Sequence, residues 1–196
     1  MRVLVACEFS AVVRDSFRAR GHDAWSCDFL DSEGDNEYHI KGDARGVVGA
    51  GWDLLIAHPP CTYLASSGVS WLQRTPGRWE LMLEAVDFFN TLLNAPIHRI
   101  AVENPRMHGY AQLRLGQPSQ TIHPWQYGHG ESKTTCLWLK HLPLLKPTDI
   151  VQIQKYAVHN MPQRRSRRQD RSRTYKGIAE AMASQWGRLN SKGERA

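Results

Sequence analysis

The sequence predicts an α/β fold with an open, mostly parallel sheet and a C-terminal antiparallel hairpin. Two observations predict the parallel part. Short apolar runs, RVLVAC (2–7), LLIA (54–57) and HRIAVE (98–103), are separated by helical patterns, and strands covered on both faces read in this near-continuous way. These runs also end on chemically distinctive residues, His58-Pro59-Pro60-Cys61 and Glu103-Asn104-Pro105, and the carboxyl ends of parallel strands are where such sheets bind ligands. The third observation concerns the hairpin: 119–126 reads as a strand, Gly128-His129-Gly130-Glu131 as a turn, and TTCLWL (134–139) as the returning strand.

Taken in order, the first strand leads through Glu8-Phe9-Ser10 into a helix carrying Val12, Val13 and Phe17 and stopping at Gly21, with Ser10 the expected N-cap. DAWSCD (23–28) is a second strand ending on Asp28. Strand, tight turn, helix, strand and acid make the first half of a mononucleotide-binding unit, in which Asp28 is placed to accept hydrogen bonds from a ribose; the other reading is an acid solvated in a turn. A short third strand is expected at Tyr38-His39-Ile40, before Gly42-Asp43. After the loop at Cys61, residues 76–94 place Trp79, Met82, Leu83, Val86, Phe89, Leu92 and Leu93 at helical spacing, a core-facing amphipathic helix. The segment 141–173 is weakly patterned and ends in an arginine-dense run. The last helix, 175–186, sets Ile178, Ala179, Met182 and Trp186 on one face. Residues 1–187 are expected to fold as one domain and 188–196 to form a disordered tail. No internal repeat is visible.

At 196 residues, 41% hydrophobic and 22% charged, the composition is that of a water-soluble globular chain. It has no apolar window long enough to span a bilayer and opens on a strand pattern, which predicts a cytoplasmic protein with no membrane partner. Its cysteines (Cys7, Cys27, Cys61 and Cys136) form no C-x-x-C pair, which argues against structural zinc and disulfides, and no metal is expected. Cys7, Cys27 and Cys136 read as buried core thiols. The net charge of +6 makes a polyanionic partner plausible.

Cys61 differs from the other cysteines because two prolines hold it at a ligand-facing strand end. If the two strands are neighbours, Glu103 lies beside it at the same rim. A thiol there needs a base or a lowered pKa to act as a nucleophile, and a desolvated carboxyl beside it can be raised enough to donate a proton to a ring nitrogen.

In this order the motifs resemble those of the DNA cytosine-5 methyltransferases. Pro60-Cys61 resembles the nucleophile motif, Val102-Glu103-Asn104 the Glu-Asn-Val motif, and VACEFSAVV (5–13) the first cofactor motif. Asp28 resembles the acid after the second strand, Gly42-Asp43 the third motif, and TYKGIAEAMASQW (174–186) the closing motif. The resemblance covers most of residues 1–140 and 172–187. It implies a Rossmann-like methyltransferase fold that uses S-adenosyl-L-methionine. In the implied reaction Cys61 attacks carbon 6 of a cytosine flipped from duplex DNA, and Glu103 protonates nitrogen 3. The implied cofactor contacts are Phe9, Ser10, Asp28, Asp43 and Pro60, with Thr174 or Tyr175 near the methionine carboxylate.

The chain departs from the family pattern in several places. Glu8-Phe9-Ser10-Ala11 stands where a glycine-rich turn is usual, His58 replaces a small residue, and Thr62-Tyr63 follows Cys61 in place of glutamine. Lys133 stands where the family's catalytic arginine motif falls. The segment 141–173 is a reduced, arginine-rich insert, too small for a target-recognition domain. Sequence choice is therefore expected to be loose, supplied by a specificity partner protein, or made by Arg164, Arg165, Arg167, Arg168, Arg171 and Arg173 against the phosphate backbone; a solvated loop is the alternative for that run. Such compactness suits a phage or prophage enzyme in a bacterial host. The competing readings are Cys61 chemistry on a nucleotide or RNA or with another one-carbon group, methylation of an exocyclic amino group, and a non-catalytic nucleic-acid-binding relic.

Overall fold

The computed structural model describes residues 1–153 and 172–188. A seven-stranded sheet is formed by β1 (Arg2–Ala6), β2 (Asp23–Asp28), β3 (His39–Lys41), β4 (Leu54–Ala57), β5 (Arg99–Pro105), β6 (Gln120–Ile122) and β7 (Thr135–Lys140), in the order β3-β2-β1-β4-β5-β7-β6. β1 to β5 pair in parallel, while β7 inserts antiparallel between β5 and β6. The described helices are α1 (Val12–Arg18), α2 (Trp71–Arg74), α3 (Arg78–Leu93), α4 (Gly109–Leu115) and α5 (Lys176–Trp186). The mostly parallel sheet with its antiparallel edge pair is as the sequence predicts.

Alternate residues of a strand face opposite sides, so the central strands feed two cores. Leu4, Ala6, Leu55, Ala57, Ile100 and Val102 pack with Met82, Val86, Phe89 and Leu92 of α3 and with Ala111 and Leu115 of α4. On the other face Val3, Val5, Leu54, Ile56 and Ala101 meet Val13 and Phe17 of α1 and Ile178, Ala179, Met182 and Trp186 of α5. All four residues of β4 are buried, which is why its sequence shows no polar alternation. The close seating of α5 depends on Gly177: a Cβ built there would lie 1.9 Å from the Tyr127 carbonyl oxygen.

Several local expectations are corrected. Ser10 does not cap α1. The N-cap is Ala11, held left-handed at φ 61°, and the first-turn amides of Val13 and Arg14 donate to the Glu8 carboxylate (2.7 and 3.1 Å). Ser10 instead donates its hydroxyl to Glu8 (3.3 Å). The helix expected over 76–94 begins at Arg78, after Gly77 at φ 75°, and Leu83 lies outside its buried stripe at 40% exposure. Helices α2 and α4 are absent from the sequence-based reading; both are too short for a periodic pattern to register. The strand expected over 119–126 stops at Ile122, and Pro124 opens a short 3-10 turn.

Most of the arginine run and the expected tail beyond Arg188 lie outside the described residues. No described helix is long and apolar enough to cross a membrane. No cluster of metal-binding side chains occurs among the described residues.

Candidate active site

The site grows out of the ends of β1, β4 and β5. Ala6 pairs with Ala57, and Ala57 with Val102, so the residues just beyond them emerge together at one rim. His58 follows β4, with its backbone N–H on the Ala6 carbonyl (2.9 Å). Its Nδ1 lies 3.6 Å from Glu103 Oε2, and both side chains are largely buried. One residue on, buried Asn104 donates from Nδ2 to the Pro59 carbonyl (2.8 Å). The Pro-Pro loop is thus tied to β5, and the chain emerges at Cys61, which is partly exposed and in no disulfide. The Cys61 carbonyl accepts from the amides of Leu64 and Ala65 (3.0 and 2.9 Å), which fixes the turn around it.

The charge of Glu103 differs from the sequence-based expectation. Burial works to raise its carboxyl, but the neighbouring His58 and the Lys133 ammonium outweigh burial and hold it below the usual carboxylate range. Glu103 therefore rests ionised rather than as a ready acid. Glu8 moves the other way: burial raises it, against the charge of His58 and the hydrogen bonds from Val13, Arg14 and Ser10.

Beside this rim, the ends of β1, β2 and β3 gather the residues expected to hold a cofactor. Cys7 sits at φ 58° and Ala11 at φ 61°, so the turn keeps left-handed backbone at two non-glycine residues. Burial first, then the charges of Asp28, Cys27 and Asp43, push the Cys7 thiol far up. Those groups therefore converge here. Asp28 Oδ1 accepts from the Leu30 amide (2.9 Å). Asp43 is engaged by Arg45 through its backbone N–H and guanidinium (2.9 and 2.6 Å), which lowers its carboxyl. Phe9 is nearly buried, with the Arg173 guanidinium 5.8 Å from its ring centroid and paired with Glu33. Thr174 and Tyr175 follow directly. Tyr175 donates its hydroxyl to Glu131 (2.5 Å), and Lys133 Nζ lies 5.7 Å from the same ring. The lead-in to α5 thus closes over Phe9 and the loop before β7.

Of the residues expected to bind nucleic acid, Arg164, Arg165, Arg167, Arg168 and Arg171 lie outside the described residues, and Arg173 is committed to Glu33. A second cationic surface escaped the sequence-based reading. Residues 54–79 and 104–130 contain no Asp or Glu, a signal that was available in the sequence. Just after Cys61 the fold packs 63–66 and Trp79 of the first stretch against 106–110 of the second. Ala65 bridges Met107, the Ser66 hydroxyl donates to the Arg106 carbonyl (2.9 Å), and Trp79 meets Tyr110 edge-on at 5.1 Å. Arg74, Arg78, Arg106 and Arg114 lie along this surface, with Trp71 53% and Tyr110 39% exposed.

No protein-family profile matches the chain, and no curated protein matches it. Among solved structures it is similar to an Escherichia coli chain described as a "putative DNA modification methyltransferase encoded within prophage", with a TM-score of 0.50 and 16% sequence identity. The match covers 83% of this chain and 56% of that one, so this chain spans little more than half of its neighbour. At that identity the likeness is one of fold: the seven-stranded sheet is of the methyltransferase Rossmann-like type.

Proposed function

We propose that the protein methylates carbon 5 of cytosine in DNA, with Cys61 as nucleophile and Glu103 at nitrogen 3. The observation that carries this reading is the fastening of the Cys61 loop to β5, through Asn104–Pro59 and His58–Glu103, at one rim of the sheet. The methyltransferase-type fold and the DNA-modification description of its prophage-encoded neighbour support it.

The neighbouring rim fits S-adenosylmethionine on one observation in particular: the Asp28 carboxylate converges on the left-handed turn at Cys7, beside Phe9. Phe9, Ser10, Asp28 and Pro60 would hold it, with Thr174 or Tyr175 at its amino-acid end; Asp43 joins them only if it releases Arg45. S-adenosylmethionine supplies the methyl group. The chain's own residues activate the base. The Cys61 thiolate forms a bond to carbon 6, a proton reaches nitrogen 3 through Glu103, and carbon 5 gains nucleophilic character. After carbon 5 is methylated, its proton passes to solvent water, the electron pair re-forms the 5,6 double bond as the Cys61–carbon 6 bond breaks to give back the thiolate, and nitrogen 3 returns its proton to Glu103. Lys133 lies near enough to Glu103 to help lower its carboxyl.

A base within a duplex must be flipped to reach Cys61. The surface carrying Arg74, Arg78, Arg106 and Arg114 suits the phosphate backbone on either side of the flipped base, and its exposed Trp71 and Tyr110 suit unstacked bases. With no more than a small insert before α5, sequence choice is loose or comes from a partner protein.

The test is a trapping experiment. DNA containing 5-fluorocytosine, incubated with the protein and S-adenosylmethionine, is expected to give a denaturation-resistant adduct, and Cys61→Ser none. Parallel arms with fluorinated RNA and fluorinated cytidine nucleotide distinguish the substrate. If no arm yields an adduct with the wild-type chain, Cys61 is not the nucleophile.

A further inference from the structure

His58 has no counterpart role in the proposed reaction, yet it occupies the centre of the rim. It faces two carboxylates, the buried Glu8 in the loop after β1 and the largely buried Glu103 on β5. Glu103 Oε2 lies 3.6 Å from Nδ1. Its Nε2 is buried without a hydrogen-bond partner. An imidazole placed only to fill space would carry that unpaired nitrogen at a cost a small apolar residue avoids. The charged groups facing this cluster are Glu8 from the loop before α1, Glu103 from β5 and Lys133 from the segment before β7. β4 itself contributes none.

We propose that His58 is the positioning residue for Glu103, holding its carboxyl at the rim and relaying to it the proton that Glu103 delivers to the base. This rests on the reading of Glu103 given above. As Glu103 protonates the ring nitrogen, the N–H at His58 Nδ1 passes to Glu103 Oε2. The imidazolium becomes neutral imidazole with its proton left on Nε2, and the same proton returns when the ring nitrogen releases its own. The need for such a relay follows from the ionised resting state of Glu103: a carboxylate held below the usual range has no proton of its own to give.

Two measurements on the full chain test this. The first needs no activity: carbon-13 NMR titration of the Glu103 carboxyl, assigned by its loss in Glu103→Gln. In wild type the midpoint lies below the ordinary glutamate range. In His58→Leu burial acts unopposed by His58, and the midpoint rises by about one unit or more. An unchanged midpoint overturns the proposal. The second is the pH profile of adduct formation with 5-fluorocytosine DNA. For wild type the rate falls as pH rises through the range in which imidazoles lose their proton. His58→Asn keeps a donor but cannot relay, so this limb disappears and the rate drops about tenfold or more. Superimposable wild-type and His58→Asn profiles also overturn it. A shifted midpoint with no adduct from wild type would leave the His58–Glu103 coupling standing and remove the cytosine chemistry instead.

Discussion

Replacing Gly177 by alanine sets two effects of opposite sign against each other. Gly177 is in the first turn of α5, where alanine's helix propensity alone would stabilise the chain by about 1 kcal/mol. The added Cβ, however, would sit 1.9 Å from the Tyr127 backbone oxygen, whereas ordinary carbon–oxygen contacts need more than about 3 Å. The Cβ position is fixed by the backbone and its neighbour is a backbone oxygen, so no side-chain rotation relieves the contact. Either α5 or the 127–129 segment must shift by about 1 Å, and the Gly177 N–H bond to His129 Nε2 (3.0 Å) is lost with it. Overpacking costs about 2–3 kcal/mol and the bond about 1 kcal/mol, against the propensity gain of about 1 kcal/mol, for a net loss of about 2–3 kcal/mol. With a urea m-value of about 2 kcal/mol/M, that lowers the unfolding midpoint by about 1–1.5 M. Gly109→Ala is the control. It opens α4 with nothing within 4 Å of its Cβ, and is expected to be neutral or stabilising by up to about 1 kcal/mol. A Gly177→Ala chain as stable as wild type would refute the seating of α5 against Tyr127, and with it the placement of Arg173 and Tyr175 at the site.

Arg14 is fully buried and donates to Ser26, Ser32 and the Asp35 carbonyl, pinning the 29–38 segment. Arg14→Met is expected to cost about 2–4 kcal/mol and to open that segment to limited proteolysis; an intact digestion pattern would count against the pinning. Asn104→Ala should cost only about 1–2 kcal/mol by urea denaturation, yet slow adduct formation by about tenfold or more, because it frees Pro59 and the Cys61 loop. Equal losses in stability and rate would make Asn104 purely structural. Replacing Arg74, Arg78, Arg106 and Arg114 together by alanine should make the log–log salt slope of DNA binding less negative by about 3–4, measured by fluorescence anisotropy. An unchanged slope would place the backbone contacts elsewhere.

The sequence by itself determined the architecture. LLIA and RIAV admit one economical reading, because apolar runs of that length must be covered on both sides, and Cys61 and Glu103 could be placed at adjacent strand ends from chain order alone. The closing helix was legible from Ile178, Ala179, Met182 and Trp186, all of which pack on the sheet. The Arg74–Arg114 surface was half-visible: the lack of acids within 54–79 and 104–130 is written in the chain, but only folding brings 63–66 and Trp79 against 106–110. What tertiary structure alone decided is the state of the acids. Ser10 looked like the cap of α1, yet Glu8 reaches past it to the helix amides. Glu103 looked like an acid raised by burial, yet His58, 45 residues away in sequence, lies 3.6 Å from it and pulls it down. Local sequence encodes propensity and burial. The charge a side chain carries at the end of a strand is set by what the neighbouring strands bring beside it, and that is a property of register.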